Sequence, residues 1–182
     1  MKRRSVLKNL TIGIGGSLVI SPTLFSSCQS PNYQPLFFTK KDLLLLNEIG
    51  ETILPETVDS PGAKTLNVAN FMDLYAADCY KAKQQKVIQE GLLLFEKECL
   101  AKIGASFLKI TAQQRQECLV DLDEKAKNSK TPHYFTELKN LVLLSYFTSK
   151  DGATKALRYL PIPGKFEGNH PIQQGDKAWA LG

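Results

Sequence analysis

The chain has 182 residues, a formal net charge of +5 with histidine neutral, 43% hydrophobic residues and 23% charged ones. Those proportions belong to a globular domain and exclude a disordered or fibrous chain. Four of the positive charges, Lys2, Arg3, Arg4 and Lys8, open the chain, and subtracting four from +5 leaves the rest at +1, so no basic face and no nucleic-acid partner is expected.

Behind that basic cluster, residues 10–25 are apolar but diluted by Gly13, Gly15, Gly16, Ser17, Ser21 and Pro22. A spanning helix wants about 20 predominantly apolar residues. A basic start, a short apolar run and small residues at its end describe a signal peptide instead. The order Arg3-Arg4-Ser5-Val6-Leu7-Lys8 is similar to a twin-arginine export signal; an ordinary secretory signal that holds two arginines is the alternative. Leu24-Phe25-Ser26-Ser27-Cys28 resembles a lipobox, in which small residues precede an acylated cysteine; an incidental cysteine at the signal boundary is the alternative. With the lipobox, residues 1–27 are the signal, Cys28 is the lipidation site, and residues 28–182 form a mature chain of 155. Several acyl chains hold a protein on a membrane where one does not. Residues 28–36, with Pro31, Asn32 and Pro35, read as a tether. The expected location is periplasmic and lipid-anchored.

The mature length makes one ordinary domain. Thr39-Lys40-Lys41-Asp42 is a cap-like start for a helix over 43–54, which Pro55 stops. Val58-Asp59-Ser60-Pro61-Gly62 is a turn by composition. A second helix is predicted from 67 to about 80, with Val68, Phe71, Met72 and Tyr75 on its inner face. Ile88, Leu92, Phe95, Cys99 and Ile103 draw an apolar stripe at helical period, and Gly104 stands where a C-terminal cap belongs. Thr111-Ala112-Gln113-Gln114 opens a fourth helix to about 127, with Cys118, Leu119 and Leu122 inward. Thr131-Pro132 places a cap and a proline at the start of a fifth, through 147, with Phe135, Leu138, Val142 and Tyr146 inward. Residues 151–159 are predicted as a short sixth helix. No convincing alternating strand is found. The fold class is all-α: a single bundle of five to six helices over 37–160, followed by an extended tail over 161–182. The tail is rich in proline and glycine and cannot build its own core. It still holds Phe166, Ile172 and Trp179, which gain by burial either on the bundle or along a partner.

Few residues offer chemistry. His133 and His170 are the two histidines, and neither sits in the spacing of a metal site. Covalent haem attachment would need C-x-x-C-H, and a hydrolase's nucleophilic serine a G-x-S-x-G elbow; neither is present. Gly13, Gly15 and Gly16 mimic part of a dinucleotide loop, but Leu18 stands where the last glycine is needed. Asp121 and Asp123 read as solvated helix-surface charge. No catalytic, cofactor or metal residue is assigned, and an independent enzyme is not expected. After Cys28 come Cys79, Cys99 and Cys118, an odd number. Cys99 and Cys118 fall on apolar faces and need no function as small buried residues. That is the favoured reading; a disulfide between them is also permitted in an oxidising periplasm.

The stretch FFTKKDLLLLNEIGETILPETVDSPGAKTLNVANFMDLY resembles the gluconate 2-dehydrogenase subunit 3 family. The family's I-P-x-T-x-x-x-P-G-A turn is matched by Leu54 to Ala63 through Pro55, Thr57, Pro61 and Gly62, and its V-x-x-F-[IM]-D helix by Val68, Phe71, Met72 and Asp73. The closing pattern is carried by Tyr146, Gly152, Tyr159, Pro163, Gly164, Phe166, Gly168, Gly175, Ala178 and Trp179. Many members have a cysteine where Asn169 stands, so a disulfide from that position is not expected here. The resemblance implies a non-catalytic small subunit partnering a large FAD-dependent dehydrogenase of the glucose–methanol–choline kind, with a cytochrome c as a candidate electron acceptor. It implies that the small subunit carries the export address for both, and acts as escort, stabiliser or anchor. Pro55, Pro61, Gly62, Tyr159, Pro163, Gly164, Phe166 and Trp179 are the expected partner surface. The competing reading is a stand-alone lipid-anchored helical binding protein of the cell envelope.

Overall fold

The computed structural model describes residues 33–162, 164 and 168–180. Arg3, Arg4, Cys28, Pro163 and Phe166 lie outside the described residues. The chain divides between residues 34 and 35, and the fold below is that of the second unit, Pro35–Gly182.

Helix α1, Lys40–Ile53, starts where local chemistry dictates. The Thr39 hydroxyl accepts from the Asp42 N–H at 3.2 Å, and the Asp42 carboxylate accepts from the Thr39 N–H at 2.9 Å. Leu54 ends it because Pro55 has no N–H to continue the ladder. Helix α2 is Val68–Asp78 and α3 is Ala82–Ile103. Gly104 closes α3 at φ 81°, left-handed backbone that glycine adopts without a Cβ penalty. A 3-10 turn, Phe107–Lys109, leads to α4, Ala112–Asn128, whose Thr111 and Gln114 repeat the reciprocal cap. Helix α5, Tyr134–Thr148, follows, and then a π turn, Gly152–Ala156. Among the described residues there is no strand, only an isolated parallel bridge between Arg158 and Trp179.

The class is thus all-α, with α5 at the centre against α2, α3 and α4, and α1 packed on α2 and α4. Leu45, Leu46 and Ile49 from α1, Met72 from α2, Phe95 from α3 and Leu138, Leu141 and Val142 from α5 are fully buried. The Phe95 and Phe107 rings meet edge to face at 5.0 Å, which fixes the 3-10 turn against α3.

Three elements differ from the sequence reading. In α2, Phe71 is 38% exposed and Tyr75 half-buried, while Val68, Ala69, Met72, Asp73 and Ala76 face inward. The face is rotated because Asp73 is required inside: its carboxylate accepts from the N–H groups of Leu36 (2.7 Å), Phe37 (2.9 Å) and Phe38 (2.6 Å). Helix α5 begins after Pro132, because Thr131 is held in a turn by the Ser129 hydroxyl, which donates to the Thr131 carbonyl at 2.7 Å. His133 takes the cap, its Nδ1 accepting from the Phe135 N–H at 3.2 Å. The predicted sixth helix ends at Ala156, because the backbone of Arg158 is engaged by the tail. Asp121 and Asp123, expected as solvated charge, join helices: Asp121 pairs with Lys102 of α3 and Lys125, and Asp123 with Lys139 of α5 and Lys127.

Candidate partner interface

Two segments hold the residues singled out by motif, the turn after α1 and the strap after the π turn. The turn is built from its own backbone and pinned from beneath. The Thr57 N–H donates to the Ser60 carbonyl at 2.9 Å and the Ala63 N–H to the Leu54 carbonyl at 3.0 Å, closing the loop at both ends. Glu51 sits inside it, its carboxylate accepting from the N–H groups of Glu56 (3.1 Å) and Lys64 (2.9 Å). A Cβ on Gly62 would collide with that carboxylate, which would have to shift away from the Glu56 and Lys64 N–H groups. The Tyr146 hydroxyl donates to the Pro61 carbonyl at 2.7 Å and fastens the turn to α5. Pro55 is exposed and Pro61 half-buried, whereas Gly62 is buried. Gly62 therefore shapes the turn rather than offering surface of its own.

Beside the turn, Glu48 forms a half-buried ionic hub, pairing with Lys64 and with Arg115 of α4. Burial pushes its carboxyl up, but the hydrogen bond from Lys64 and the charges of Arg115 and Lys64 outweigh this and hold it below the usual carboxylate range. Arg115 also donates to the carbonyls of Phe107 (3.0 Å) and Leu108 (3.1 Å). The turn, α1, α4 and the 3-10 turn are thus tied at one point.

The strap returns to the body chiefly at Arg158, and the Lys177 ammonium also donates to the Lys155 carbonyl in the π turn. The Arg158 N–H donates to the Ala178 carbonyl at 2.8 Å and the Ala180 N–H to the Arg158 carbonyl at 2.9 Å. The Arg158 guanidinium lies over the Trp179 ring, 4.2 Å from its centroid. The reversal that allows this is the turn over 173–176, in which the Asp176 carboxylate accepts from the Gln173 N–H at 2.9 Å and Gly175 has φ 93°. The return leaves much apolar area in water: Tyr159 is 44% exposed, Trp179 43% and Ile172 88%. Gly164 is exposed, with φ 72°. The structure therefore brings Tyr159 and Trp179 to neighbouring positions beside Arg158. The turn is held separately, by Glu51 and Tyr146.

Asp73, Glu48, Glu51 and Arg158 were not found as anchors by sequence reasoning. An acid on an otherwise apolar helix face was the available signal for Asp73, while Arg158 gave none. A cleft of about 280 Å³ opens among Tyr80, Lys83, Val87, Ile88, His133 and Glu137. Burial, and then the charge of Glu137, push the Tyr80 hydroxyl above its usual value. Among the described residues, no group of three or more His, Cys, Asp or Glu is placed to hold a metal, and no helix is long and apolar enough to cross a membrane.

The family model for gluconate 2-dehydrogenase subunit 3 matches residues 40–164, which covers the five α-helices of the described residues, the turn and the start of the strap. No curated protein and no solved structure matches the chain.

Proposed function

Because this chain belongs to the gluconate 2-dehydrogenase subunit 3 family, whose model covers residues 40–164 of 182, we propose that it is the non-catalytic small subunit of a periplasmic FAD-dependent sugar or alcohol dehydrogenase. The partner is a large flavoprotein of the glucose–methanol–choline kind, and FAD sits in that partner. A cytochrome c is the candidate acceptor of its electrons. Arg3 and Arg4 address the pair to an exporter of folded proteins, and Cys28 fixes the assembled enzyme to the membrane through its acyl chains. A chain without a cofactor of its own gains little from such an exporter. A chain gripping a folded, flavin-loaded partner requires one.

The family match carries this reading. The strap supports it, because Tyr159, Ile172 and Trp179 are large apolar side chains left in water beside a fixed backbone. Tryptophan, tyrosine and arginine dominate binding energy at protein interfaces, and Arg158 already orients the Trp179 ring. Affinity purification of the chain from its own membrane tests the reading. The expected result is a co-purifying large subunit with flavin absorbance. A colourless chain that purifies alone and takes up a small ligand in the Tyr80–His133 cleft supports the stand-alone binding protein instead.

A further inference from the structure

Cys99 of α3 and Cys118 of α4 face each other across the contact between these helices, with Sγ atoms 3.4 Å apart. Both are free thiols, 2% and 3% exposed. Burial as small apolar residues would account for either cysteine alone; it does not account for two sulfurs meeting head-on from different helices. Over them lies a small hollow rimmed by Glu98, Lys102, Asp121 and Lys125. Asp121 accepts from Lys102 of α3 at 3.4 Å and from Lys125 of α4 at 3.0 Å, so the same two helices are held together immediately beside the thiols. Cys79 is exposed on a different element and is not part of this arrangement.

We propose that Cys99 and Cys118 are a disulfide site, closed by exchange with a disulfide-bearing oxidant to staple α3 to α4. A disulfide needs sulfurs about 2 Å apart, a change that side-chain rotation at two cysteines already in contact supplies. One protein sulfur, as thiolate, attacks the oxidant's S–S bond. That bond breaks, a mixed disulfide forms, and one oxidant thiol leaves with the proton given up. The second protein sulfur then displaces the remaining oxidant thiol, which takes the second proton. Two protein S–H bonds and one oxidant S–S bond are lost; one protein S–S bond and two oxidant S–H bonds are gained. The protein pair is oxidised by two electrons and the oxidant reduced by two. Burial, and the hydrogen bond and proximity of Cys118, push the Cys99 thiol up to about 12. Thiolate is therefore scarce in the folded chain and exchange is slow. Cys79 is the more accessible thiol but, among the described residues, has no partner sulfur placed like this one.

The chemistry of the site stands on geometry alone; its closure in the cell rests on the periplasmic location proposed above. Two arms separate them. In the first, the full chain with Cys28→Ser and Cys79→Ser is incubated with oxidised glutathione, unfolded and alkylated. The expected product has lost two hydrogens, takes up no alkylating agent, and melts about 6–10 °C higher than its reduced form. Adding Cys118→Ala removes the oxidant-dependent shift. Two alkylatable thiols after prolonged oxidation, or two glutathione adducts without a cross-link, overturn the proposal. In the second, the native chain is acid-quenched from the cell envelope and its peptides mapped. A Cys99–Cys118 cross-linked peptide supports closure in the cell. A chain that closes in the first arm but is fully reduced in the second keeps the site and overturns its closure in the cell.

Discussion

Asp73 is the residue on which the entrance to the fold depends. Its carboxylate gathers three consecutive backbone N–H groups from residues 36–38, just ahead of α1. Hydrogen bonds to a charged, buried acceptor are stronger than neutral ones, and leaving their donors unpaired costs more than the bonds are worth on average. Asp73→Ala is expected to destabilise the domain by about 3 kcal/mol or more, measured by urea unfolding. Glu48 makes a pH-dependent contribution of known sign. Its folded value is held below the usual 4.5 by Lys64 and Arg115 against the effect of burial. Its stabilisation is therefore present above about pH 4.5 and is lost as the pH falls through the lower folded value. Glu48→Gln should flatten this part of the pH–stability profile; an unchanged acid limb would show that the hub contributes nothing there. Neither anchor was legible beforehand for a common reason. The partners of Asp73 lie 35–37 residues away and Arg115 lies 67 residues from Glu48, so no local pattern links them.

Among the elements, those that end on local chemistry were legible and those that end on distant contacts were not. The caps at Thr39 and Thr111 span three residues, and the stripe from Ile88 to Cys99 is fixed by helical period. Their positions follow from the sequence. The start of α5 did not, because Ser129 draws Thr131 into a turn and leaves the cap to His133. The end of the chain did not, because Arg158 trades helical bonds for a bridge to Trp179. The turn at 55–62 was legible as a turn, but its fastening was not: one hydroxyl, that of Tyr146, reaches Pro61 from 85 residues away. Tyr146→Phe should loosen the turn at a cost of about 1 kcal/mol, with faster amide exchange at Thr57 and Ala63 and an unchanged helix content by circular dichroism. Gly62→Ala should cost more, since it drives a methyl group into Glu51.

At the largest scale, the unit Pro35–Gly182 is a helical body followed by a strap that leaves large apolar side chains in water. The body was readable as an all-α domain from periodicity and caps, and the strap as a segment unable to form a core. Which residues would receive the strap was not readable, since a guanidinium over an indole and a lysine on a distant carbonyl have no periodicity. At this scale the account predicts that Trp179→Ala leaves the melting temperature of the isolated chain within a few degrees while weakening the complex by about 2 kcal/mol, roughly 30-fold in Kd. A large loss of stability with unchanged affinity would assign the strap to the body alone. The most direct test concerns transport: the flavoprotein subunit is co-expressed with this chain or with its Arg3→Lys, Arg4→Lys form, and dehydrogenase activity is measured in the periplasmic fraction. The account predicts activity there with the native chain and its retention in the cytoplasm with the altered one. Equal periplasmic activity in both, or without this chain at all, would contradict it.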